Sequence, residues 1–218
     1  MIRFLRDHVH IATVGEDLVC LDVAAGTYAC ALGLGEAVGR PDAQGRVDIA
    51  SHDAAEALAK AGLVVDHAQA AGRRRTAPPP LPTLSAWRAA QAAVKRADQC
   101  RMAGAYGLAL RRYFGRPFAS VMAFAARGAS PGATAPLCEV GHDAQVFDQL
   151  LPYAPFQGEC LLRSFMLLMF LRLAGRNARW VLGVQTYPFQ AHCWLQAGDT
   201  VLDDAAERVC GYTPIFAV

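Results

Sequence analysis

The sequence has few charged residues, no closely spaced cysteine pair and no long uninterrupted apolar run. Charged residues make up 18% of the 218 residues, whereas hydrophobic residues make up 54%. This composition excludes a disordered chain and is sufficient to build a buried core. The longest apolar stretch, Leu161 to Ala174, contains Arg163 and Arg172. Because it is too short and too charged to cross a bilayer, we expect no membrane insertion.

The seven cysteines lack the spacing of a metal site or of a disulfide framework. Their number is odd and no two of them form a CxxC pair, which argues against a zinc ribbon or finger. Cys160, His192, Cys193 and Cys210 have side chains that bind zinc, but no two of them show the short spacing of structural zinc ligands. We therefore expect neither a metal nor a cofactor. The mixed, charged first residues show no signal-peptide pattern, so we predict a cytoplasmic protein.

Charge is distributed unevenly along the chain. Residues 1–70 contain 5 Lys and Arg against 10 Asp and Glu, whereas residues 71–218 contain 16 against 9. The asymmetry favours two units with different partners. The basic residues of the second unit are scattered without interleaved aromatic residues, so we do not expect nucleic acid binding.

The first unit, residues 1–71, has the pattern of a small antiparallel sheet followed by a helix. Strand patterns run from His8 to Val14, from Leu18 to Val23 and from Thr27 to Leu32. A helix is predicted to begin after Ser51, a good N-cap, and to end at Gly62. This outline is that of a winged helix-turn-helix domain, and its acidic charge favours peptide docking over DNA binding.

A proline-rich segment, residues 72–82, follows the first unit and is predicted to be a stiff linker, since three consecutive prolines cannot lie inside a helix. The second unit is then residues 83–218. Its apolar spacing predicts helices from Ser85 to Leu110 and from Arg111 to Arg127, the second of them broken near Pro117. The two units together make an α+β chain.

The segment around Cys160 has the features of a nucleophile at the start of a helix. Gly158 marks a loop, and the apolar run that follows Cys160 has the length of a helix. Free backbone N–H groups at such a start lower the pKa of a thiol and can point at a developing oxyanion. Gln157 is a candidate oxyanion donor from its position alone. Arg163 and Ser164, one turn further on, are candidates for orienting the site.

Two predicted strands after this helix carry a histidine and a carboxylate. His192 lies on a strand from Ala191 to Gln196, 32 residues after Cys160, and Asp204 ends the next strand, 12 residues later. A histidine that takes the thiol proton and an aspartate that orients it complete a cysteine nucleophile. Strand alternation puts Asp203 and Asp204 on opposite faces, so only one of the two carboxylates can face His192. Asp204 is the expected one, with Asp203 as the alternative; a residue on the other face would contribute at most a local turn or a surface charge. Cys193 is expected to point away from His192 into the core.

Three motifs in the last third resemble the lasso-peptide B proteins: Cys-Leu-Leu-Arg-Ser at 160–164, Pro-Phe-Gln-Ala-His at 188–192 with Trp194, and Asp204 followed by Gly-Tyr-Thr-Pro at 211–214. The resemblance implies a papain-like or transglutaminase-like cysteine protease domain with Cys160, His192 and Asp204 as its triad. It also implies that residues 1–70 are a fused RiPP precursor recognition element. Many members of the family have Asn where this chain has Asp203.

The resemblance implies a leader peptidase that cuts a lasso-peptide precursor after the region of the leader's penultimate Thr. The leader would add a strand beside Thr27, Tyr28, Ala29, Cys30, Ala31 and Leu32. The core peptide would pass to a separate, ATP-dependent lasso cyclase, a second expected partner. Two alternatives remain open: acyl transfer to an amine on the same triad, and a non-enzymatic winged-helix peptide-binding or regulatory protein.

Overall fold

The structure, a computed structural model, describes residues 1–68, 78–86, 92–128, 136–156 and 158–218. Helices and strands are mixed throughout, and the strands form three sheets. Within the described ranges, no helix is long and apolar enough to cross a membrane.

The N-terminal part contains two three-stranded sheets and one helix. Its elements are β1 (Ile2–Leu5), β2 (Val9–Val14), β3 (Asp17–Asp22), β4 (Thr27–Ala31), β5 (Arg46–Asp48), α1 (His52–Lys60) and β6 (Val64–Val65). β2, β3 and β4 form an antiparallel meander, called here the N-terminal sheet, while β1 lies between β5 and β6. As predicted, the hydroxyl of Ser51 caps α1 by accepting a hydrogen bond from the Ala54 N–H at 3.4 Å.

The central strand of the N-terminal sheet, β3, is buried on both faces, because its alternate residues enter two different cores. Leu18 and Cys20 on β3 pack with α1 and β1. Val19 and Leu21 on the same strand join the core of the C-terminal part. β2 continues this second contact, since the ring of His10 lies 4.4 Å from the ring of Phe216 near the far end of the chain.

The C-terminal part is built around one buried helix. Its helices are α2 (Arg96–Arg112), α3 (Phe118–Arg127), α4 (Leu137–Leu150), α5 (Cys160–Leu173) and the short α6 (Ala206–Val209). The side chains of α5 are buried almost all round, from Leu162 to Leu171 with Arg163 half-buried. Because α5 is covered on several sides, its sequence is apolar on every face instead of amphipathic.

A five-stranded sheet, called here the C-terminal sheet, packs against α5. Its strands are β7 (Leu84–Ser85), β8 (Arg179–Gln185), β9 (Gln190–Ala197), β10 (Thr200–Val201) and β11 (Thr213–Ala217), in the order β11-β8-β9-β10-β7. One face, with Leu182, Cys193 and Leu195, belongs to the core around α5. The opposite face, with Val181 and Trp194, is covered by residues of and near α6. Both central strands are therefore buried on two sides.

Several predicted elements differ from the structure. The helix predicted from Ser85 begins at Arg96 instead, because Leu84 and Ser85 pair with β10 as strand β7; part of the predicted range, 87–91, lies outside the described residues. The predicted break near Pro117 is confirmed, since α3 begins directly after this residue. The sequence patterns did not indicate β1, β5, β11 or α4.

The winged helix-turn-helix assignment of residues 1–71 stays a prediction. A helix-turn-helix needs two consecutive helices, and α1 is the one helix within residues 1–68. The strands predicted before it are present within one or two residues of their predicted limits.

Residues 78–82, the described part of the predicted linker, lie along the C-terminal sheet. The carbonyl oxygen of Pro80 accepts a hydrogen bond from the side chain of Gln196 at 2.9 Å, and the Thr83 N–H donates to the Asp199 carbonyl at 2.8 Å. Strand β7 follows directly after these residues. The proposed division into residues 1–71, 72–82 and 83–218 stays a prediction.

Candidate active site

Cys160 is the first residue of α5, as expected from the loop before it. Gly158 has a φ of +66°, and a Cβ at this position would lie 2.5 Å from the side chain of Leu162. Both observations require glycine, which turns the chain sharply into the helix. The Cys160 thiol is half-buried at the positive end of α5, where free backbone N–H groups favour an anion.

His192 and Asp204 lie together beside this helix start. The Nε2 atom of His192 is 2.6 Å from Oδ2 of Asp204. His192 precedes the buried stretch of β9 and shares a face of the strand with Trp194. Asp204 follows β10 and also accepts a hydrogen bond from the Ala205 N–H at 2.8 Å. With Nε2 turned to the carboxylate, Nδ1 of the ring is the nitrogen left for the hydrogen bond with Cys160.

The three side chains are electrostatically paired. Hydrogen bonds with the thiol of Cys193 and with His192 outweigh burial and lower the pKa of Cys160 to about 4. Burial alone would lower the pKa of His192, but hydrogen bonds with Asp204 and Cys160 raise it to about 9. Between these two values a thiolate and an imidazolium stand side by side. Burial alone would raise the pKa of Asp204, but the hydrogen bonds from His192 and the Ala205 N–H, together with the nearby positive charges, lower it below its ordinary value.

Aromatic rings hold the imidazole of His192 from two directions. The ring of Tyr212 lies 5.2 Å from it and the ring of Trp194 lies 6.3 Å away. Gly183 pairs with His192 across the strands, and a Cβ there would lie 2.8 Å from the Trp194 ring. The close approach of Trp194 therefore requires glycine at this position.

The structure contradicts the expectation that Asp203 contributes at most a local turn or a surface charge. Its side chain is buried against α5, where Oδ2 accepts a hydrogen bond from the Ser164 hydroxyl at 2.5 Å. Its Oδ1 accepts a hydrogen bond from the Leu195 N–H at 2.8 Å. Burial, opposed by these hydrogen bonds, raises the pKa of Asp203 to about 6. The expectation was wrong because α5 covers this face of the sheet, which strand alternation alone does not reveal.

Cys193 is buried on the α5 face, as predicted, and it also borders the site. Its thiol lies 3.9 Å from the Ser164 hydroxyl oxygen and forms a hydrogen bond with Cys160. This hydrogen bond, followed by burial, raises the pKa of Cys193 well above its ordinary value. No sequence pattern indicated this contact, because β9 and α5 meet only in the folded chain.

The other residues singled out around Cys160 have separate positions. Gln157 lies outside the described residues. Arg163 lines the same cavity as Cys160 and forms an ion pair with Asp148 on α4 at 2.8 Å. Ser164 faces the buried Asp203. Their roles in orienting the site stay predictions.

The six residues predicted to bind a leader lie on and just after β4, an edge strand of the N-terminal sheet. Thr27, Ala29, Cys30 and Leu32 are exposed, whereas Tyr28 and Ala31 are partly buried. The ring of Tyr28 lies 5.7 Å from that of Phe189, in the turn between β8 and β9. Burial raises the pKa of Tyr28 to about 12, with smaller effects from Cys193 and Cys160. The edge strand therefore lies close to the turn that leads to His192.

A cavity of about 610 Å³ opens onto these side chains. It is lined by Cys160, His192 and Asp204, and also by Gln190 and Arg208. Polar and apolar atoms line it about equally, and its volume lies in the usual range of binding clefts. In the part of the chain that the structure describes, no three His, Cys, Asp or Glu side chains are placed to hold a metal ion.

Comparison with known proteins identifies the family. The sequence model of the Transglutaminase-like superfamily matches residues 102–217, more than half of the chain and the whole range from Cys160 to Asp204. The Microcin J25-processing protein McjB of Escherichia coli is 38% identical over 50 residues, which are 23% of this chain and 24% of that protein. The match thus spans about a quarter of that relative. No solved structure matches. The chain belongs to the transglutaminase-like superfamily.

Proposed function

We propose that this chain is a cysteine peptidase that removes the leader from a lasso-peptide precursor, with Cys160 as nucleophile, His192 as acid and base, and Asp204 as the orienting carboxylate. The observation that supports the chemistry best is the 2.6 Å contact between His192 and Asp204 beside the thiol at the start of α5. The partial similarity to a microcin-processing protein supports the substrate class.

The paired charges explain how the first step would proceed. The Cys160 thiolate attacks the carbonyl carbon of the scissile bond, and the backbone N–H groups at the start of α5 stabilise the oxyanion. The His192 imidazolium then donates its proton to the departing amine, and the C–N bond breaks to leave a thioester. Asp204 keeps Nε2 of His192 occupied, so that Nδ1 faces the sulfur.

Hydrolysis of the thioester would use the same groups in reverse. The neutral imidazole of His192 takes a proton from a water molecule, which attacks the thioester carbonyl. The C–S bond breaks, and the thiolate and imidazolium return with the leader's carboxylate released. The proton that His192 donates during formation of the thioester is thus recovered during its hydrolysis.

Leader recognition is assigned to residues 1–71, as a winged-helix-like recognition element. The exposed edge of β4 offers backbone N–H and C=O groups to an added strand, and Thr27 to Leu32 would run beside it. Holding the leader on the same chain as Cys160 raises the effective concentration of the scissile bond. The freed core peptide would then pass to a lasso cyclase in the cytoplasm.

Mass spectrometry of a precursor peptide encoded beside the gene tests this proposal. We expect the intact chain to produce leader and core fragments, and Cys160→Ala to produce neither while it still binds the precursor. Cys138→Ala is the matched control, because this thiol is exposed on α4 and outside the cavity. Cleavage by Cys160→Ala at the rate of the unmodified chain would refute the proposal.

Acyl transfer is the second candidate, and membership of the transglutaminase-like superfamily favours it. The thioester would be attacked by an amine and not by water, with the same three side chains. Adding a primary amine to the cleavage reaction separates the two. A leader fragment that carries the amine in place of a free carboxylate would indicate transfer.

A further inference from the structure

Gln190 lies beside the candidate triad and was not singled out by any sequence motif. It is the first residue of β9, two residues before His192, so the two side chains leave the strand on the same face. Gln190 lines the cavity that also contains Cys160 and His192. Its side chain is exposed to that space.

Two hydrogen bonds fix which end of the Gln190 carboxamide faces the protein. Its Oε1 accepts a hydrogen bond from Nε2 of Gln185 at 3.0 Å, the partner of Gln190 across the strands. The same oxygen accepts a second hydrogen bond from the Tyr212 hydroxyl at 3.1 Å. A carboxamide oxygen has two lone pairs, so both are occupied.

The nitrogen end of the carboxamide is left for the cavity. Nε2 carries two N–H donors and has no hydrogen-bond partner among the residues that the structure describes. Tyr212 holds this arrangement firmly, because its ring is buried against the imidazole of His192. The ring that positions His192 thus also orients Gln190.

We propose that Gln190 binds the substrate, by donating a hydrogen bond from Nε2 to a backbone carbonyl oxygen of the peptide next to the scissile bond. This rests on the proposed function and adds a residue that recognises the peptide main chain. Two residues of β9 span roughly 7 Å, about two residues of an extended peptide. The carbonyl that Gln190 binds is therefore one or two residues from the bond that Cys160 attacks.

The binding measurement uses the full chain with Cys160→Ala, so that the precursor peptide stays intact. In this background Gln190→Met keeps the shape of the side chain and removes the donors, and we expect the Kd for the precursor to rise about 3- to 10-fold. Gln190→Glu replaces the donors with an acceptor, and the Kd should rise about 10- to 100-fold. Tyr212→Phe keeps the ring and frees the carboxamide to turn, with a smaller effect.

Gln99→Met and Gln99→Glu are the matched controls, since Gln99 is exposed on α2 and does not line the cavity. Both should leave the Kd unchanged. With Cys160 intact, Gln190→Met should raise KM and leave kcat within about twofold, as loss of uniform binding does.

Two results would overturn the inference while the proposed function stands: an unchanged Kd for both Gln190 variants, or a fall in kcat with an unchanged Kd, which would make Gln190 an oxyanion donor. Failure of the proposed function itself is seen separately, as cleavage that persists in Cys160→Ala. Melting temperatures equal to that of the parent chain verify that each exposed substitution leaves the fold intact.

Discussion

Asp203 and Asp204 are neighbours in the sequence, yet their side chains point in different directions, and their pKa values are shifted in opposite directions. Asp204 faces the cavity, where hydrogen bonding to His192 lowers its pKa. Asp203 faces α5, where its hydrogen-bond partners, Ser164 and the Leu195 N–H, are uncharged. Burial therefore dominates, and the pKa of Asp203 rises to about 6.

The difference shows that a carboxylate's role follows from its partner and not from its burial alone. A cationic partner stabilises the charged form, whereas neutral donors compensate only part of the cost of removing a charge from water. The cavity face thus pairs the Asp204 carboxylate with the His192 imidazole. The α5 face joins the helix that carries Cys160 to the strands that carry His192 and Asp204.

The largest expected effect compares the two carboxylates in catalysis. Asp204→Asn removes the charge that orients His192, and kcat should fall by about 10³- to 10⁴-fold, as loss of an orienting aspartate does. Asp203→Asn should lower kcat less than about tenfold, because a carboxamide can still bond both Ser164 and the Leu195 N–H. Steady-state rates on one precursor peptide provide the measurement, and the reverse ranking would assign the orienting role to Asp203.

The pH dependence of stability should differ between the parent chain and Asp203→Asn. The pKa of Asp203 is raised from an ordinary value near 3.8 to about 6, so the folded chain binds this proton more tightly than the unfolded one. Its stabilising contribution is full below pH 3.8 and is lost as the pH rises through 6. From pH 4 to 7, Asp203→Asn should gain up to about 3 kcal/mol relative to the parent chain.

Urea unfolding of both proteins at several pH values measures this difference. A constant difference between the two free energies of unfolding would contradict the raised pKa of Asp203. The contribution of Asp204 cancels in the comparison, because this residue is present in both proteins.

The hydrogen bonds of Asp203 can be separated from its charge by comparing two neutral variants. Asp203→Ala leaves the Ser164 hydroxyl and the Leu195 N–H without a hydrogen-bond partner. In Asp203→Asn the carboxamide still supplies an oxygen acceptor and an N–H donor for these two groups. We expect the alanine variant to be less stable than the asparagine variant by about 1–3 kcal/mol. Urea unfolding at pH 7 measures it, and equal stabilities would show that water replaces the carboxylate.

The smallest effect is expected for Cys193, which is buried on the α5 face of the sheet and also lines the cavity. Cys193→Ala removes the hydrogen bond that contributes most to the low pKa of Cys160. The midpoint of the pH dependence of Cys160 alkylation by iodoacetamide should therefore move to higher pH. Peptide mapping assigns the alkylated thiol, and Cys100→Ala, at an exposed position of α2, is the control. An unchanged midpoint would show that Cys193 contributes to packing and not to the pKa of Cys160.

Elements that depend on the residues within their own segment could be predicted from the sequence. The strands of the N-terminal sheet, the helix after Ser51, and the order of α5 and β9 all follow from apolar spacing and from turn residues. The spacing of Cys160, His192 and Asp204 on those elements identified the side chains that the structure brings together at the cavity.

Features that depend on distant contacts did not follow from the sequence. β11 is short and contains Pro214, so its pattern is weak, and it is a strand because it pairs with β8. The burial of Asp203 and the contact of Cys193 with Cys160 need the packed position of α5. Likewise, nothing in residues 1–70 indicates that Val19 and Leu21 enter the C-terminal core.

The contact between β2 and β11 has a consequence for the order in which the chain folds during synthesis. Residues His10 and Phe216, whose rings lie 4.4 Å apart, are about 200 positions apart in the chain and leave the ribosome at very different times. Until β11 emerges, the face of the N-terminal sheet that carries Val19 and Leu21 lacks the strand that packs against it. The earliest strands to be made are thus among the last to be completed, and a chain interrupted before Thr213 would expose an apolar surface prone to aggregation.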